Sequence, residues 1–246
     1  MKFPTITSLV VSPLLALGLG SCGLEKSTTA PKQTRFLEST GTDTISKIDR
    51  LPFQHAWRDP KMEIAKYKYI VVRPVTTSFL KTDEWEQSKS EFVPDKRTYT
   101  RRVNALARHW DKSLNKAFSS PVCVFYKTTD TGRPGTLILE VALTEVRFDP
   151  AATKSMADPV TNGNVSNIIT GLPLCAFEVR VKDAATGKVV STASDRRGPE
   201  IKVVDADKKS NATPNERICD EWSQQLMESS NIDLFPKVKR NWFSLF

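Results

Sequence analysis

The chain has 246 residues and a formal net charge of +8 at pH 7, from 36 Lys and Arg against 28 Asp and Glu. This length predicts a single domain with enough chain for a hydrophobic core. Only two histidines are present, which argues against a catalytic triad or a histidine-based metal site. Since Walker, GxGxxG, GxSxG and HExxH sequences are also absent, we predict no catalytic residue, no metal site and no cofactor.

Residues 1–21 have the features of an export signal. Leu9–Leu19 is apolar but would span only about 16 Å as a helix, roughly half of a bilayer core, which favours a cleaved signal over a membrane span. The sequence LGSC at residues 19–22 resembles the bacterial lipobox. The resemblance implies cleavage before Cys22, a diacylglyceryl thioether on its sulfur and a further acyl chain such as palmitate, which together give stable anchoring. The alternative is an ordinary secretory signal with an accidental cysteine.

The residues after Cys22 predict a membrane location and a tether. Gly23 stands where an aspartate would resemble the inner-membrane retention signal of enteric bacteria, so we expect the periplasmic face of the outer membrane. Residues 22–50 are rich in Ser, Thr, Lys, Pro and Gly and predict a flexible tether of roughly 30 Å, in which Phe36 and Leu37 can dock on the domain. Residues 51–246 should form one globular domain.

Leu51–Pro60 is predicted to be an irregular loop. Two prolines bracket it, and Phe53 and Trp57 are expected to close the edge of the core while the polar side chains face water. The alternative interpretation is a site that includes His55 and Asp59.

Tyr67–Val75 is the first predicted strand. Because Ile70–Val72 run without polar alternation, both faces should be buried and the strand should be central. Strand ends are common ligand sites in α/β sheets, so Arg73 joins His55 and Asp59 as a candidate ligand-binding residue.

A basic amphipathic helix is predicted over Thr98–Phe118, with Trp110 on its apolar stripe. His109 lies beside that stripe and is expected to be partly buried with its hydrogen bonds satisfied. Two strands follow, Val122–Lys127 and Thr136–Phe148. In the second, a change of apolar parity predicts a bulge near Thr144 and Glu145, and residues 150–171 are predicted to be a loop.

A hairpin and a second helix complete the predicted domain. Residues 175–182 alternate as a half-buried strand, residues 183–187 form the turn with Gly187 at positive φ, and the partner strand covers residues 188–195. Arg196 and Arg197 close the hairpin and are further candidate ligand-binding residues. A capping box at Thr213–Glu216 begins a helix that should run to about Ser230.

Three cysteines remain beyond Cys22, and their spacing does not match a zinc site. We expect Cys123, Cys175 and Cys219 to be small buried hydrophobes, with a disulfide between the first two as the alternative.

The C-terminal tail combines basic and aromatic side chains that could lie in a membrane interface. Packing on the protein's own sheet is the alternative. The candidate membrane-contact residues are Lys237, Lys239, Arg240, Trp242, Phe243 and Phe246.

Several segments together resemble a family of uncharacterised Gram-negative lipoproteins that is defined by a domain of unknown function. They include LPFQHAWRDP, YKYIVVRPVTTSFL, LILEVALTEV and, most specifically, FEVRVKDAATGKVVSTASDRRG, and the match runs from about Phe36 to Leu226. The resemblance implies a lipid anchor and a periplasmic α/β domain. It brings no established activity, cofactor or catalytic residue.

These features predict an α+β fold with a mixed sheet of about five strands and two main helices packed on one face. We favour a non-enzymatic, membrane-anchored envelope lipoprotein that binds or scaffolds another envelope protein or an anionic envelope polymer. Nucleic acid is not an expected partner of an exported chain. The simpler explanation of the positive net charge is that it serves only solubility. The alternatives are an envelope hydrolase with a site near His55, Asp59 and Arg73, and a membrane-surface binder that uses the C-terminal tail.

Overall fold

The computed structural model describes residues 29–38, 51–81, 96–148, 173–198 and 212–230. Within them the chain forms a mixed sheet of six strands and two long helices, which confirms the predicted α+β class. The order across the sheet is β1-β6-β5-β4-β2-β3. The strands are β1 His55–Arg58, β2 Tyr69–Val72, β3 Lys127–Thr128, β4 Thr136–Arg147, β5 Leu174–Asp183 and β6 Val189–Arg197.

The middle of the sheet is an antiparallel meander of β4, β5 and β6, to which β1 adds as an antiparallel edge. At the other side, β2 pairs in parallel with both β4 and the two-residue edge strand β3. The register of β4 shifts between Leu143 and Glu145, so the predicted bulge is confirmed. The bulge brings Val146 onto the same face as Leu143, which keeps both side chains buried.

Both long helices, α2 (Lys96–Phe118) and α3 (Pro214–Ser230), pack on one face of the sheet. Trp110 and Trp222 are fully buried and their rings lie 5.5 and 4.6 Å from the ring of Phe177 on β5. The predicted apolar stripe that carries Trp110 therefore covers the sheet, and Trp222 makes the equivalent contact from α3. Aromatic side chains of this size bury 150–250 Å² each by typical values, so this cluster is a large part of the core.

Two turns depend on glycine. Gly187 has φ of 70° in the β5–β6 turn, with no atom within 4 Å of the position where a Cβ would lie. Gly135 has φ of 76° just before β4, and a Cβ there would lie 2.9 Å from the carbonyl oxygen of Lys66. The Asp183 carboxylate holds the β5–β6 turn by accepting the N–H groups of Ala185 at 2.9 Å and Thr186 at 2.7 Å.

The capping box of α3 is also confirmed. The Glu216 carboxylate accepts the backbone N–H of Thr213 at 2.7 Å, and the Thr213 hydroxyl accepts the N–H of Glu216 at 3.3 Å. These two bonds satisfy donors that the first helical turn leaves without partners.

Two local predictions are wrong. The segment Leu51–Pro60, predicted as an irregular loop, contains β1. The sequence did not indicate this strand because Arg58, a charged residue, lies on its buried side, where an apolar residue is expected. Its guanidinium reaches the carbonyl of Ser229 at the end of α3, at 3.1 Å. The strand predicted at Val122–Lys127 is an irregular segment, of which only the last residue belongs to β3.

The second face of the sheet carries the N-terminal segment, residues 29–38. Its short helix α1 (Arg35–Glu38) places Phe36 and Leu37 against Ala142 of β4, and both side chains are buried. This part of the predicted tether is therefore packed on the domain, as the apolar pair suggested. The predicted loop at residues 150–171 lies outside the described residues.

Candidate functional site

His55 and Asp59 lie at the sheet edge formed by β1. His55 is opposite Ser194, on the face away from the two long helices. Asp59 follows the strand and accepts Lys188 Nζ at 2.6 Å and the N–H of Lys61 at 2.8 Å. The hydrogen bond from Lys188, together with that from Lys61, outweighs burial and holds the pKa of Asp59 below its usual value. Asp59 thus joins the end of β1 to the turn that precedes β6.

Arg73 lies far from these two residues. It follows β2, its side chain is exposed, and its N–H donates to the carbonyl of Leu139 at 2.9 Å. Strands β6, β5 and β4 separate β1 from β2, which is four strand spacings or about 19 Å. The structure therefore does not bring Arg73 together with His55 and Asp59, as the predicted hydrolase site requires.

Arg197 is buried at the centre of a polar network between the sheet and α3. Its guanidinium donates to Asp195 at 2.6 Å, to Glu221 at 2.7 Å and to Gln225 at 2.6 Å. Asp195 is itself completely buried and also accepts Trp222 Nε1 at 3.0 Å. These contacts occupy most of the hydrogen-bond donors of Arg197 and acceptors of Asp195. The network therefore joins β6 to α3, and few donors or acceptors remain for a ligand.

Arg196 points to the opposite face of the sheet. Its Nε donates to the buried carboxylate of Glu145 at 2.7 Å, and Lys81 binds the other oxygen of the same carboxylate. The backbone N–H of Arg196 donates to Gln54 at 2.9 Å. Both arginines of the hairpin are therefore held by contacts within the domain.

Glu178 secures the N-terminal segment. This carboxylate on β5 is completely buried and accepts both the N–H and the hydroxyl of Thr34, at 2.6 and 2.7 Å. Arg180, two residues further along the strand, donates to the carbonyl of Phe36 at 2.9 Å and lies 4.3 Å from its ring. Charged donors and acceptors make the stronger hydrogen bonds, so the segment is firmly attached. The alternation of residues 175–182 predicted Glu178 to face solvent, because the sequence does not show what covers that face.

A Ser, a His and an Asp meet on the surface between α2 and α3. His109 Nε2 lies 2.8 Å from Asp220 Oδ1, and the hydroxyl of Ser113 donates to the same oxygen. Nucleophilic catalysis needs the imidazole between the hydroxyl and the carboxylate, so that it can take the hydroxyl proton. Here the carboxylate lies in the middle, and the arrangement joins two helices instead. The prediction of a partly buried His109 with a hydrogen-bond partner is confirmed.

An apolar surface occurs in the irregular segment Ser119–Tyr126, which we call the apolar loop. Among the large hydrophobic side chains of the described residues, the exposed ones are Val122, Val124 and Phe125, at 62%, 75% and 48%. The loop borders a cleft of about 940 Å³ whose opposite wall is residues 60–69. Val124 and Phe125 form part of the lining of this cleft. In the sequence, the consecutive apolar residues after Pro121 were interpreted as a strand.

A basic stripe runs along the outer surface of α2. This helix has seven basic residues and one acidic residue, and its first turn contains no acidic residue to balance the helix dipole. The stripe comprises Lys96, Arg97, Arg101 and Arg108, all exposed. Over the part of the chain that the structure describes, no carboxylate forms an ion pair with these four side chains.

The three described cysteines are buried free thiols, so the predicted hydrophobic role is confirmed and the Cys123–Cys175 disulfide is wrong. Burial raises the pKa of Cys175 to about 12. Among the described residues, no group of His, Cys, Asp and Glu side chains could hold a metal ion, and no helix is long and apolar enough to cross a bilayer. Cys22 and the candidate membrane-contact residues of the tail, 237–246, lie outside the described residues.

A family model with the description "Protein of unknown function (DUF3313)" matches residues 46–226, and the chain belongs to this family. The resemblance to a family with a domain of unknown function is thus confirmed. No curated protein matches the chain.

Distantly similar solved structures include the following two. The PelC dodecamer from Paraburkholderia phytofirmans is 11% identical with a TM-score of 0.34, and the match covers 71% of this chain and 94% of that chain. The hypothetical protein CT253 from Chlamydia trachomatis is 12% identical with a TM-score of 0.36, over 67% of this chain and 98% of that chain. At these values the similarity carries no inference about this chain.

Proposed function

We propose that this protein is a lipid-anchored component of the cell envelope, on the periplasmic face of the outer membrane, and that it binds an anionic envelope polymer without catalysing a reaction. The observation that carries the proposal is the docking of the N-terminal segment through Thr34 and Glu178. It attaches to the domain a residue that is twelve positions after the lipobox cysteine, Cys22, which resembles the acylated residue of bacterial lipoproteins.

The docked segment sets the length of the anchor. Thr34 is only twelve positions after Cys22, and twelve steps of chain span at most about 40 Å when fully extended. A free tether to residue 50 would hold the domain more loosely. The short connection supports a role in which the domain works next to the membrane surface.

The polar groups of the domain support binding more than hydrolysis. Asp195 and Arg197 are committed to each other and to α3, and Asp59 is committed to Lys188. Ser113, His109 and Asp220 resemble a catalytic triad, but the carboxylate of Asp220 lies between the other two side chains, where the imidazole would be needed.

The basic stripe is the surface that we assign to the partner. Its cations extend over thirteen residues of α2, from Lys96 to Arg108, which is about 18 Å of helix. Exposed cations that no carboxylate of the described residues pairs with attract a polyanion and gain from counterion release, whereas a solubilising surface usually mixes both signs of charge. An anionic polymer therefore fits this surface better than a neutral or basic partner.

The anchor is tested by Cys22→Ser in the native host. We expect the variant to lose incorporation of an alkyne-labelled palmitate and to leave the membrane fraction, while the wild type retains both. A variant with unchanged membrane fractionation and unchanged mass relative to the wild type would contradict the anchor.

The binding surface is tested by charge reversal with a matched control. Replacing Arg97, Arg101 and Arg108 by glutamate should reduce co-sedimentation with purified anionic envelope polysaccharide on the order of tenfold at low salt. Replacing the exposed Lys61, Lys66 and Lys68 by glutamate changes the net charge equally on another surface and should have a smaller effect. Equal losses in the two triple variants would indicate only a general charge effect and refute the assigned surface.

A further inference from the structure

The apolar loop is the unexplained surface of the domain. Its Val122, Val124 and Phe125 are all exposed, and they lie within four consecutive residues. Scattered exposed hydrophobic residues are normal in soluble proteins, but a contiguous group at a loop tip usually marks a contact with a partner or a membrane. No described segment covers these side chains.

Two lysines lie beside the apolar loop. Lys68 and Lys127 are exposed and line the adjacent cleft of about 940 Å³, and Lys61 and Lys66 are exposed residues of the chain segment that leads to Lys68. The acidic residue of this wall, Glu63, already pairs with Lys66 at 2.9 Å. The surface therefore presents exposed apolar side chains beside exposed lysines, which is the pattern of a segment that enters the interface of an anionic bilayer.

We propose that the apolar loop is a second membrane contact, in which Val122, Val124 and Phe125 enter the interfacial region of a bilayer with anionic lipids. Lys68 and Lys127 lie at the level of the headgroups. This inference rests on the proposed function for the proximity of the membrane. It places a membrane contact on the folded domain, in addition to the acyl chains on Cys22.

The anchor is long enough for this orientation. Tyr67, which lines the cleft, donates to Asp183 at the end of β5, at 2.9 Å. Asp183 is five residues along β5 from Glu178, where the N-terminal segment is attached, which is about 17 Å. The twelve chain steps from Cys22 to Thr34 can span about twice that distance.

The orientation also separates the two proposed surfaces. The apolar loop directly follows the C-terminal end of α2, whereas the basic stripe begins at its N-terminal end. Thr100, an exposed residue beside the stripe, is eighteen residues before Phe118, or about 27 Å along the helix. With the loop at the membrane, the part of the stripe beside Thr100 lies about 27 Å along the helix from the loop, which leaves room for a polymer.

The test uses the acylated full-length protein reconstituted in phosphatidylethanolamine vesicles with and without phosphatidylglycerol. Val124→Cys and, as the control, Thr100→Cys are labelled with an environment-sensitive fluorophore, because both sites are exposed and the native described thiols are buried. Lipids that carry a shallow doxyl quencher report contact at the depth of about 5–10 Å that interfacial segments reach.

We expect about twofold quenching at position 124 in the anionic vesicles, weaker quenching without phosphatidylglycerol, and none at position 100. Unquenched fluorescence at position 124 on protein that remains attached to the vesicles would overturn this inference while leaving the anchor intact. A probe at position 124 that is shielded equally without vesicles would also overturn it, because a second copy or the chain's own residues 231–246 would then cover the loop. Loss of acylation and of vesicle attachment would instead contradict the proposed function.

Discussion

Replacement of Asp195 by alanine should destabilise the domain strongly, because this carboxylate lies at the centre of the buried network. It accepts the guanidinium of Arg197 at 2.6 Å, Trp222 Nε1 at 3.0 Å and the N–H of Gln54 at 3.2 Å. Removal of one partner from a buried ion pair typically costs about 3–5 kcal/mol. Since Arg197 keeps Glu221 and Gln225, we expect a loss near the lower end, about 3 kcal/mol in the free energy of unfolding.

Urea denaturation followed by tryptophan fluorescence measures this loss, with the slope of the transition as a check on two-state behaviour. Glu63→Ala is the control, because it breaks an exposed ion pair with Lys66 that should contribute about 0–1 kcal/mol. Asp195→Asn keeps the shape of the side chain and isolates the effect of the charge. A loss below about 1 kcal/mol in Asp195→Ala would refute the structural role of the pair and make Arg197 a ligand-binding candidate again.

Four further changes test separate features. Gly135→Ala should lower the free energy of unfolding more than Gly187→Ala, because its Cβ would also meet the carbonyl oxygen of Lys66. Gly187→Ala adds only the strain of a positive φ, about 1–2 kcal/mol. Equal losses in urea unfolding would contradict the close backbone contact at Gly135. Cys175 should resist alkylation at about pH 8 in the folded protein and react after unfolding, as read by mass spectrometry, and rapid native modification would show that it is accessible. Burial opposes ionisation of Asp183, but its hydrogen bonds outweigh burial and hold its pKa below the usual value. Its contribution to stability is therefore complete above the unfolded-state pKa of about 3.9 and is lost as pH falls through the lower folded-state pKa, so Asp183→Asn should flatten the acid limb of the stability profile. An acid limb that Asp183→Asn leaves unchanged would contradict the effect of these bonds. Glu178→Gln should weaken the attachment of the docked N-terminal segment and make it more sensitive to trypsin, and an unaltered cleavage rate would indicate that the apolar contacts alone hold it.

Much of the fold could be predicted because its signals are local. Backbone geometry over a few residues accounts for three of these signals: the period of the apolar residues in α2, the alternation along β5 and the parity change at the β4 bulge. The capping box at Thr213 and the positive φ of Gly187 are equally local. Such features predict elements and their boundaries without knowledge of neighbours in space.

Two of the wrong predictions, for Arg58 and Glu178, concern residues whose distant partners reverse the local pattern. Arg58 faces the core because the carbonyl of Ser229 accepts it, and Glu178 is buried because Thr34 returns to cover it. From sequence alone a charged residue is predicted to be exposed, since burial of a charge is costly unless a specific partner offsets the loss of hydration. The partners here are more than 140 residues away in one case and 171 in the other, so no local pattern could reveal them.

The sequence by itself determined the α+β class, the order of most elements, the lipobox resemblance and the shortage of catalytic residue types. The tertiary structure decided which of the candidate residues could act together. It separated Arg73 from His55, enclosed Arg197 in the core, and left the apolar loop and the basic stripe exposed. The physical reason is that secondary structure follows local periodicity, whereas a functional surface depends on what the remainder of the chain leaves uncovered after the core is buried.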